Sequence, residues 1–318
     1  MINTKTPEAS AIIEAYNRIK PYINQTPVLT CSSLNGIFDS ELYFKCDNFQ
    51  KTGSFKFRGA VNAVFSMDED KIKNGVATHS SGNFAQALSL AARIKGVRAY
   101  IIMPSNSVKV KVDAVKEYGG EIIFCKPTLE ARETTLNEVV KKTNAVFIHP
   151  YDDYNIIAGQ GTACYELINE VENIDIISVP VGGGGLLSGT LLSAHYFSTK
   201  TKVIACEPEI NYDARQSLIA GKIIPSINLN TIADGLRTSL GEKTFPIIKE
   251  YVKEIATVSE KAIIDAMKIV WERMKIIIEP SAAVTIAALL ENKYDYRGKR
   301  IGIIFSGGNV DLEKLPWH

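Results

Sequence analysis

The chain has little of what would mark a secreted, metal-caged, membrane-spanning or nucleic-acid-binding protein. Its five cysteines, Cys31, Cys46, Cys125, Cys164 and Cys206, are scattered and odd in number, and no two form a CxxC pair. Such thiols argue against a disulfide framework or zinc cage and fit a reduced, cytoplasmic enzyme. With 36 basic against 35 acidic residues the net charge is +1. That leaves no field to recruit nucleic acid or a lipid surface. No apolar run reaches the roughly eighteen residues that a membrane span needs. The nearest, Ile276 to Leu290, is broken by Glu279 and Pro280. The N-terminus carries no signal-peptide pattern, and neither a solenoid repeat nor a low-complexity linker is visible. The four histidines form no ligand cluster; His79 and His149 end candidate strands, whereas His195 and His318 suggest nothing.

What is present is alternation. Short apolar, β-branched runs at Leu42–Lys45, Val76–His79, Ala99–Met103, Glu121–Phe124, Val146–His149, Ile176–Val181, Lys202–Cys206 and Arg300–Phe305 read as strands. Most are apolar on both faces, as in a parallel sheet covered by helices on each side. Helix patterns at Gly82–Ile94, Val108–Tyr118, Leu129–Lys142, Gly159–Glu170 and Leu186–Ser198 separate them. The class is therefore α/β, doubly wound, with largely parallel sheets. At 318 residues two lobes are possible. The expected division is a large discontinuous lobe of residues 1–64 plus 148–318 and a small mobile lobe of 65–147.

The unusual residues fall just past strand ends. Ser80-Ser81-Gly82-Asn83 follows His79, Gly182 to Gly185 follow Val181, Glu207 follows Cys206, and Ser306-Gly307-Gly308-Asn309 follows Phe305. Open α/β sheets bind ligands at such carboxyl ends. Glycines before a helix let backbone N–H groups approach phosphate oxygens. The run fits neither GxGxxG nor the Walker lysine motif. A flexible turn is the bland alternative, though four adjacent glycines are entropically costly in a plain connection. Lys56 sits in a loop of small and hydroxyl residues, Lys51-Thr52-Gly53-Ser54-Phe55-Lys56-Phe57-Arg58-Gly59-Ala60. A lone lysine is usually solvated. Here Lys51 and Arg58 could lower its pKa by repulsion, as an imine-forming lysine requires. Lysine and glycine run together suggest the two ends of a pyridoxal 5'-phosphate (PLP) site.

KTGSFKFRGA, SSGNFAQA, VPVGGGGLLSG, IEPSAA and SGGNVD, in this order, resemble the serine/threonine dehydratase and serine racemase group, PLP enzymes of the tryptophan-synthase β-chain fold. The resemblance runs from about Thr26 to Asp311 and leans toward the racemase branch through Val270 to Lys275; no regulatory extension follows Asp311. It implies that Lys56 carries PLP as an imine and acts as base on one face of the substrate. Asn83 would bond the 3′-oxygen, Gly182, Gly183, Gly184, Gly185 and Leu186 would wrap the phosphate, and Ser306 would face the pyridine nitrogen. A hydroxyl at that nitrogen makes the ring a weaker electron sink, suiting β-hydroxyl loss or reprotonation. Ser80, Ser81, Asn83 and Arg132 would receive the substrate carboxylate; helix capping is the plainer reading of the two serines, and a solvated charge that of Arg132.

Racemisation needs an acid on the second face, and similar racemases place a serine at Ser81 where many dehydratases place alanine. Phe84 departs from the group's usual histidine, and Tyr151-Asp152-Asp153 looks more like the dehydratases. The resemblance therefore implies a dimeric enzyme that racemises L-serine and eliminates it to pyruvate and ammonia. The alternatives are a dehydratase of serine, threonine or 3-hydroxyaspartate, and a non-catalytic PLP- or nucleotide-binding protein. It also implies a metal, Mg²⁺ or else Ca²⁺ or Mn²⁺, at Glu207, Asn211 and Asp213, although two acids six apart are usually just solvated. Glu279 is expected as a further partner of the metal or a support beneath the cofactor. Ser32, Ser33, Lys51, Thr52, Gln86 and Tyr118 match positions that bind activating ATP at the dimer interface of similar racemases.

Overall fold

Ten strands build two separate sheets in the computed structural model, which describes residues 5–107 and 109–317. They are β1 Val28–Leu29, β2 Glu41–Cys46, β3 Val76–His79, β4 Ala99–Pro104, β5 Glu121–Cys125, β6 Val146–Phe147, β7 Ile176–Pro180, β8 Lys202–Pro208, β9 Glu254–Val258 and β10 Arg300–Phe305. One sheet runs β1-β2-β10-β7-β8-β9 and the other β5-β4-β3-β6. Every pairing is parallel except β1 with β2. The α/β class read from the sequence is therefore the class of the fold. β7 and most of β8 and β10 are buried residue after residue, as helices on both faces require. β5 is an exception, half-exposed along its length.

The helix expected from Gly159 starts earlier, at Tyr154. There the Asp153 carboxylate accepts from the backbone N–H groups of Asn155 and Ile156, an acidic N-cap at the positive end of the helix. Thr128 caps Leu129–Thr143 in the same way, through the N–H of Ala131. Asn83–Lys95 stops at Gly96, whose φ of 79° is left-handed. The pattern over 146–149 yields only a two-residue strand at Val146 and Phe147. Strands β1 and β9 and the helices Ala9–Ile19, Lys56–Phe65, Glu260–Met274 and Pro280–Leu290 are additional to the elements expected from the sequence. The expected helix start at Val108 and the terminal His318 lie outside the described residues. No helix among those described is long and apolar enough to cross a membrane.

The core around the four-stranded sheet joins Val76, Phe84, Ala99 and Val115 to Ile19, Phe57, Val61 and Ile156 from elsewhere in the chain. Helix Lys56–Phe65 thus packs Phe57 into this core, and an ion cluster around Arg58 also holds its first turn. Arg58 is fully buried. Its Nε and Nη2 donate to Asp47 at 2.7 and 2.9 Å, and Nη1 and Nη2 donate to Glu166 at 2.8 Å each. Lys45 Nζ reaches the same Glu166 oxygen at 2.7 Å and donates to the Thr26 carbonyl at 2.6 Å. Burial by itself pushes the Asp47 pKa up, but Arg58 overrides it and holds the carboxyl below the usual range. Two cations and two carboxylates cancel, so no net charge is stranded.

Removing one member of such a group leaves an uncompensated buried charge, at a cost of about 3–5 kcal/mol. Arg58→Met is therefore expected to lower the unfolding free energy by that amount, read from urea titration. A stability change under about 1 kcal/mol would show that the cluster does not hold the helix.

Candidate active site

Lys56 is the first residue of helix Lys56–Phe65, not a loop residue as expected. The preceding segment is fixed by Phe55 N–H, which donates to the Ser306 carbonyl at 2.9 Å, and by a bridge between Ser54 and Gly307. The Lys56 side chain is half-buried, and its Nζ donates to the Pro150 carbonyl at 3.1 Å. It stands 5.0 Å from the Phe55 ring centroid and 6.0 Å from that of Phe84. Burial lowers its pKa to about 8, against the opposing pull of Glu279. The direction agrees with the sequence reading but the cause does not. Arg58 is neutralised by its carboxylates, and Lys51 donates to the Tyr22 carbonyl at 2.5 Å instead. Desolvation lowers the pKa here, not repulsion.

The loop after β3 begins with Ser80, whose N–H donates to the Ile102 carbonyl at 3.2 Å and whose hydroxyl accepts from Gly82 N–H at 3.4 Å. Ser81 is half-exposed beside it. Asn83 opens helix Asn83–Lys95, its Nδ2 donating to both Glu279 oxygens at 3.0 and 3.1 Å while its Oδ1 accepts from Asn309 at 3.0 Å. The loops after β3 and β10 therefore meet at Asn83. Glu279 carries more of the site than the sequence reading assigned to it. It is the N-cap residue of Pro280–Leu290, and a Cβ on Gly307 would lie 2.6 Å from its Oε1. Burial raises its pKa to about 7, with Asp234 adding to the rise and Asn83 opposing it. The signal for it was the Ile278-Glu279-Pro280 order, since proline favours the first position of a helix.

The glycine run lies between β7 and helix Gly185–Phe197. Gly184, at φ 89°, adopts a conformation that side chains disfavour. A Cβ on Gly183 would strike the Tyr151 ring at 2.5 Å, and one on Gly182 would meet the Leu236 Cα at 2.9 Å. Bare backbone at a helix N-terminus suits a phosphate. Leu186 is buried in the first turn of that helix. The run is braced by Thr244, whose hydroxyl donates to the Gly183 carbonyl at 2.9 Å. Asp152, of the dehydratase-like Tyr151-Asp152-Asp153, caps this brace by accepting from the N–H groups of Glu242, Lys243 and Thr244. Ser306 is buried directly after β10.

His149 Nδ1 accepts from the backbone N–H of Asp152 at 2.9 Å, so the neutral ring carries its proton on Nε2. Burial lowers its pKa to about 4. Arg132, on helix Leu129–Thr143, has a buried Nε with no hydrogen-bond partner. Its charge acts on His79, whose pKa is lowered chiefly by burial. A buried guanidinium nitrogen without a partner is the kind of group a carboxylate satisfies.

The candidate metal residues gather differently from the expected loop. Glu207 lies within β8 and accepts from the N–H groups of Ala214 and Arg215 at 3.2 and 2.8 Å. Asn211 closes the turn Glu209–Asn211, and Asp213 starts helix Asp213–Ala220. Burial raises Glu207 to about 8 and Asp213 to about 7. Asp213 Oδ2 is buried and unpartnered. No cluster of three or more His, Cys, Asp or Glu side chains suited to a metal occurs among the described residues, so the set is two carboxylates and an amide residue. Of the nucleotide candidates, Lys51 and Thr52 lie on the turn Lys51–Gly53. Gln86 is buried, Tyr118 half-buried, and Ser32 and Ser33 open an exposed turn of helix Ser32–Phe38.

A family model described as pyridoxal-phosphate dependent enzyme matches residues 19–307. The chain belongs to that family. It is 51% identical to serine racemase of Dictyostelium discoideum over 308 residues, 96% of this chain and 95% of the relative. It is 46% identical to the beta-hydroxyaspartate dehydratase of Paracoccus denitrificans over 312 residues, 98% of this chain and 99% of the relative. The crystal structure of the Dictyostelium racemase superposes with a TM-score of 0.93, covering 97% of this chain and 100% of that one. PLP is thus the family's cofactor. The residues present suit it: a lysine amine with a lowered pKa, a side-chain-free turn at a helix start, and a buried hydroxyl at Ser306.

If burial governs Lys56, its amine in the PLP-free protein should react with acetic anhydride along a titration centred near pH 8, and Glu279→Gln should move that midpoint lower. Peptide-resolved competitive labelling measures this. A midpoint at the ordinary lysine value of 10.5 would contradict the assignment.

Proposed function

We propose that the chain racemises L-serine and, in a side reaction, eliminates it to pyruvate and ammonia. The observation that carries the reading is a Lys56 amine whose pKa burial lowers, 6.0 Å from the ring centroid of Phe84, which directly follows the Ser80–Asn83 loop with its hydroxyl at Ser81. Two acid–base groups on opposite substrate faces are what racemisation requires. Bound PLP supplies the electron sink that acidifies the substrate Cα–H. Lys56 Nζ, its pKa lowered by burial to about 8, accepts the Cα proton on one face in its neutral form. Ser81 Oγ donates to the other face for inversion; in elimination the proton taken by Lys56 would pass to the departing β-hydroxyl, which leaves as water, and hydrolysis of the resulting enamine gives pyruvate and ammonia. Asn83 keeps Glu279 and Asn309 together beneath the site, and the unpartnered Arg132 Nε is a receiver for a substrate carboxylate.

Chiral chromatography of products from L-serine tests this. Ser81→Ala should cut D-serine formation by at least about a hundredfold, the usual scale for a general acid, while pyruvate formation persists. Undiminished D-serine would overturn the two-face mechanism. A second reading, dehydration of 3-hydroxyaspartate, draws on Arg132 and on the dehydratase-like Tyr151-Asp152-Asp153. It gains ground if that substrate is consumed with a higher kcat/KM than serine.

Further parts of the proposal are a divalent cation, Mg²⁺ first, at Glu207, Asn211 and Asp213, ATP as an activator at Ser32, Ser33, Lys51, Thr52, Gln86 and Tyr118, and a cytoplasmic homodimer. The buried, unpartnered Asp213 Oδ2 supports the cation, because hard cations take such oxygens. Mg²⁺ at about a hundred times its dissociation constant should stabilise the wild type by about 2.7 kcal/mol, seen as a rise in Tm, and Asp213→Asn should abolish the rise. An equal rise in that variant would remove the site.

A further inference from the structure

Among the described residues, side-chain bonds at Asn83 and at Lys111 tie elements around the two sheets together. One is the Asn83 contact with Glu279 and Asn309. The other lies further out, where Lys111 Nζ, on the helix Lys109–Glu117 that follows β4, donates to Asp234 Oδ2. The two side chains are 25% and 38% exposed, so the pair is partly shielded from water.

Asp234 opens a tight turn, Asp234–Leu236, anchored on several sides. Gly235 N–H donates to the Ser281 hydroxyl at 3.0 Å, two residues beyond Glu279. Leu236 lies against Gly182, where a Cβ would come within 2.9 Å of its Cα. The Leu236 carbonyl accepts from Asn211 Nδ2 at 3.3 Å, and Thr238 meets the Tyr151 hydroxyl at 2.9 Å. One turn therefore touches the glycine run, the start of the Glu279 helix and a candidate metal residue. Asp234 extends its reach to the four-stranded sheet. Both charges also act on Glu279, Asp234 disfavouring its ionised form and Lys111 favouring it.

We propose that Lys111 and Asp234 are positioning residues. Their ion pair draws helix Lys109–Glu117 onto the turn Asp234–Leu236, and so holds the glycine run and Glu279 in register with the Ser80–Asn83 loop. A partly exposed pair adds little to global stability, but it biases a cleft between its open and closed arrangements, and closure completes such sites. The pair acts on binding rather than on proton transfer, since neither side chain reaches Lys56 or Ser81 in any hydrogen bond described above.

The catalytic arm of the test rests on the proposed serine chemistry; a labelling arm does not. Lys111→Met and Asp234→Asn should each raise the KM for L-serine about five- to tenfold with kcat changed less than about twofold, the mark of lost uniform binding. The exchange Lys111→Asp with Asp234→Lys should return KM to within about twofold of wild type. In PLP-free protein, acetylation of Lys56 should be faster in both single variants than in wild type and slower again in the exchange. Unchanged KM and labelling rate in the single variants, or an exchange no better than either, would overturn the latch. If the wild type does not turn over serine, the function reading fails and the labelling rates still decide the latch. Asp234→Asn, nearly isosteric, carries the test should Lys111→Met fold poorly.

Discussion

The geometry of the site depends on a fully buried guanidinium. Arg58 lies two residues past Lys56, and its bonds to Asp47 and Glu166 lock the first turn of the helix between β2 and the helix Tyr154–Glu170. With the helix start fixed, the Lys56 amine is confined to the space between Phe84, the Pro150 carbonyl and the loop after β3. Burial, and not a neighbouring cation, lowers the pKa of that amine. An ion cluster is a weak way to gain stability but a directional way to fix orientation. Here the orientation is what the chemistry uses.

Around this anchor, carboxylates are spent on backbone N–H groups rather than left free. Asp153 caps the helix beneath Lys56, and Asp152, its neighbour, caps the segment that braces the glycine run. Glu207 accepts from the start of the helix that bears Asp213. These acidic residues therefore build the walls of the cleft, while Arg132 Nε and Asp213 Oδ2 are among the buried polar atoms that have no protein partner. Phe84 takes part as packing: its ring is buried in the core under the four-stranded sheet and closes one side of the lysine pocket.

Much of this was legible in the residue order. Eight of the strands announced themselves as short apolar runs, and the loops after β3, β7 and β10 carry their motifs just past the strand ends. The hidden strands had reasons to hide. β1 has two residues, and β9 begins with the exposed Glu254 at the sheet edge. Helix Lys56–Phe65 was masked because Gly59 and the hydroxyls before it read as loop. Gly59 is there for contact, since a Cβ would lie 2.5 Å from the Gln160 amide. The cause of the Lys56 shift was misread for a related reason: sequence places Arg58 near the lysine but cannot reveal the carboxylates that neutralise it. Glu279 was found but not understood, because its role arises from Asn83 and Gly307, both far away in the chain.

The central claim is that Lys56, positioned by the Arg58 cluster, is the amine that binds PLP. Borohydride reduction of the PLP-loaded protein, followed by proteolysis and mass-spectrometric mapping, tests it most directly. The account predicts a single pyridoxyl group, on the peptide that contains Lys56. An adduct on another lysine, or none in protein shown to hold the cofactor, would contradict it.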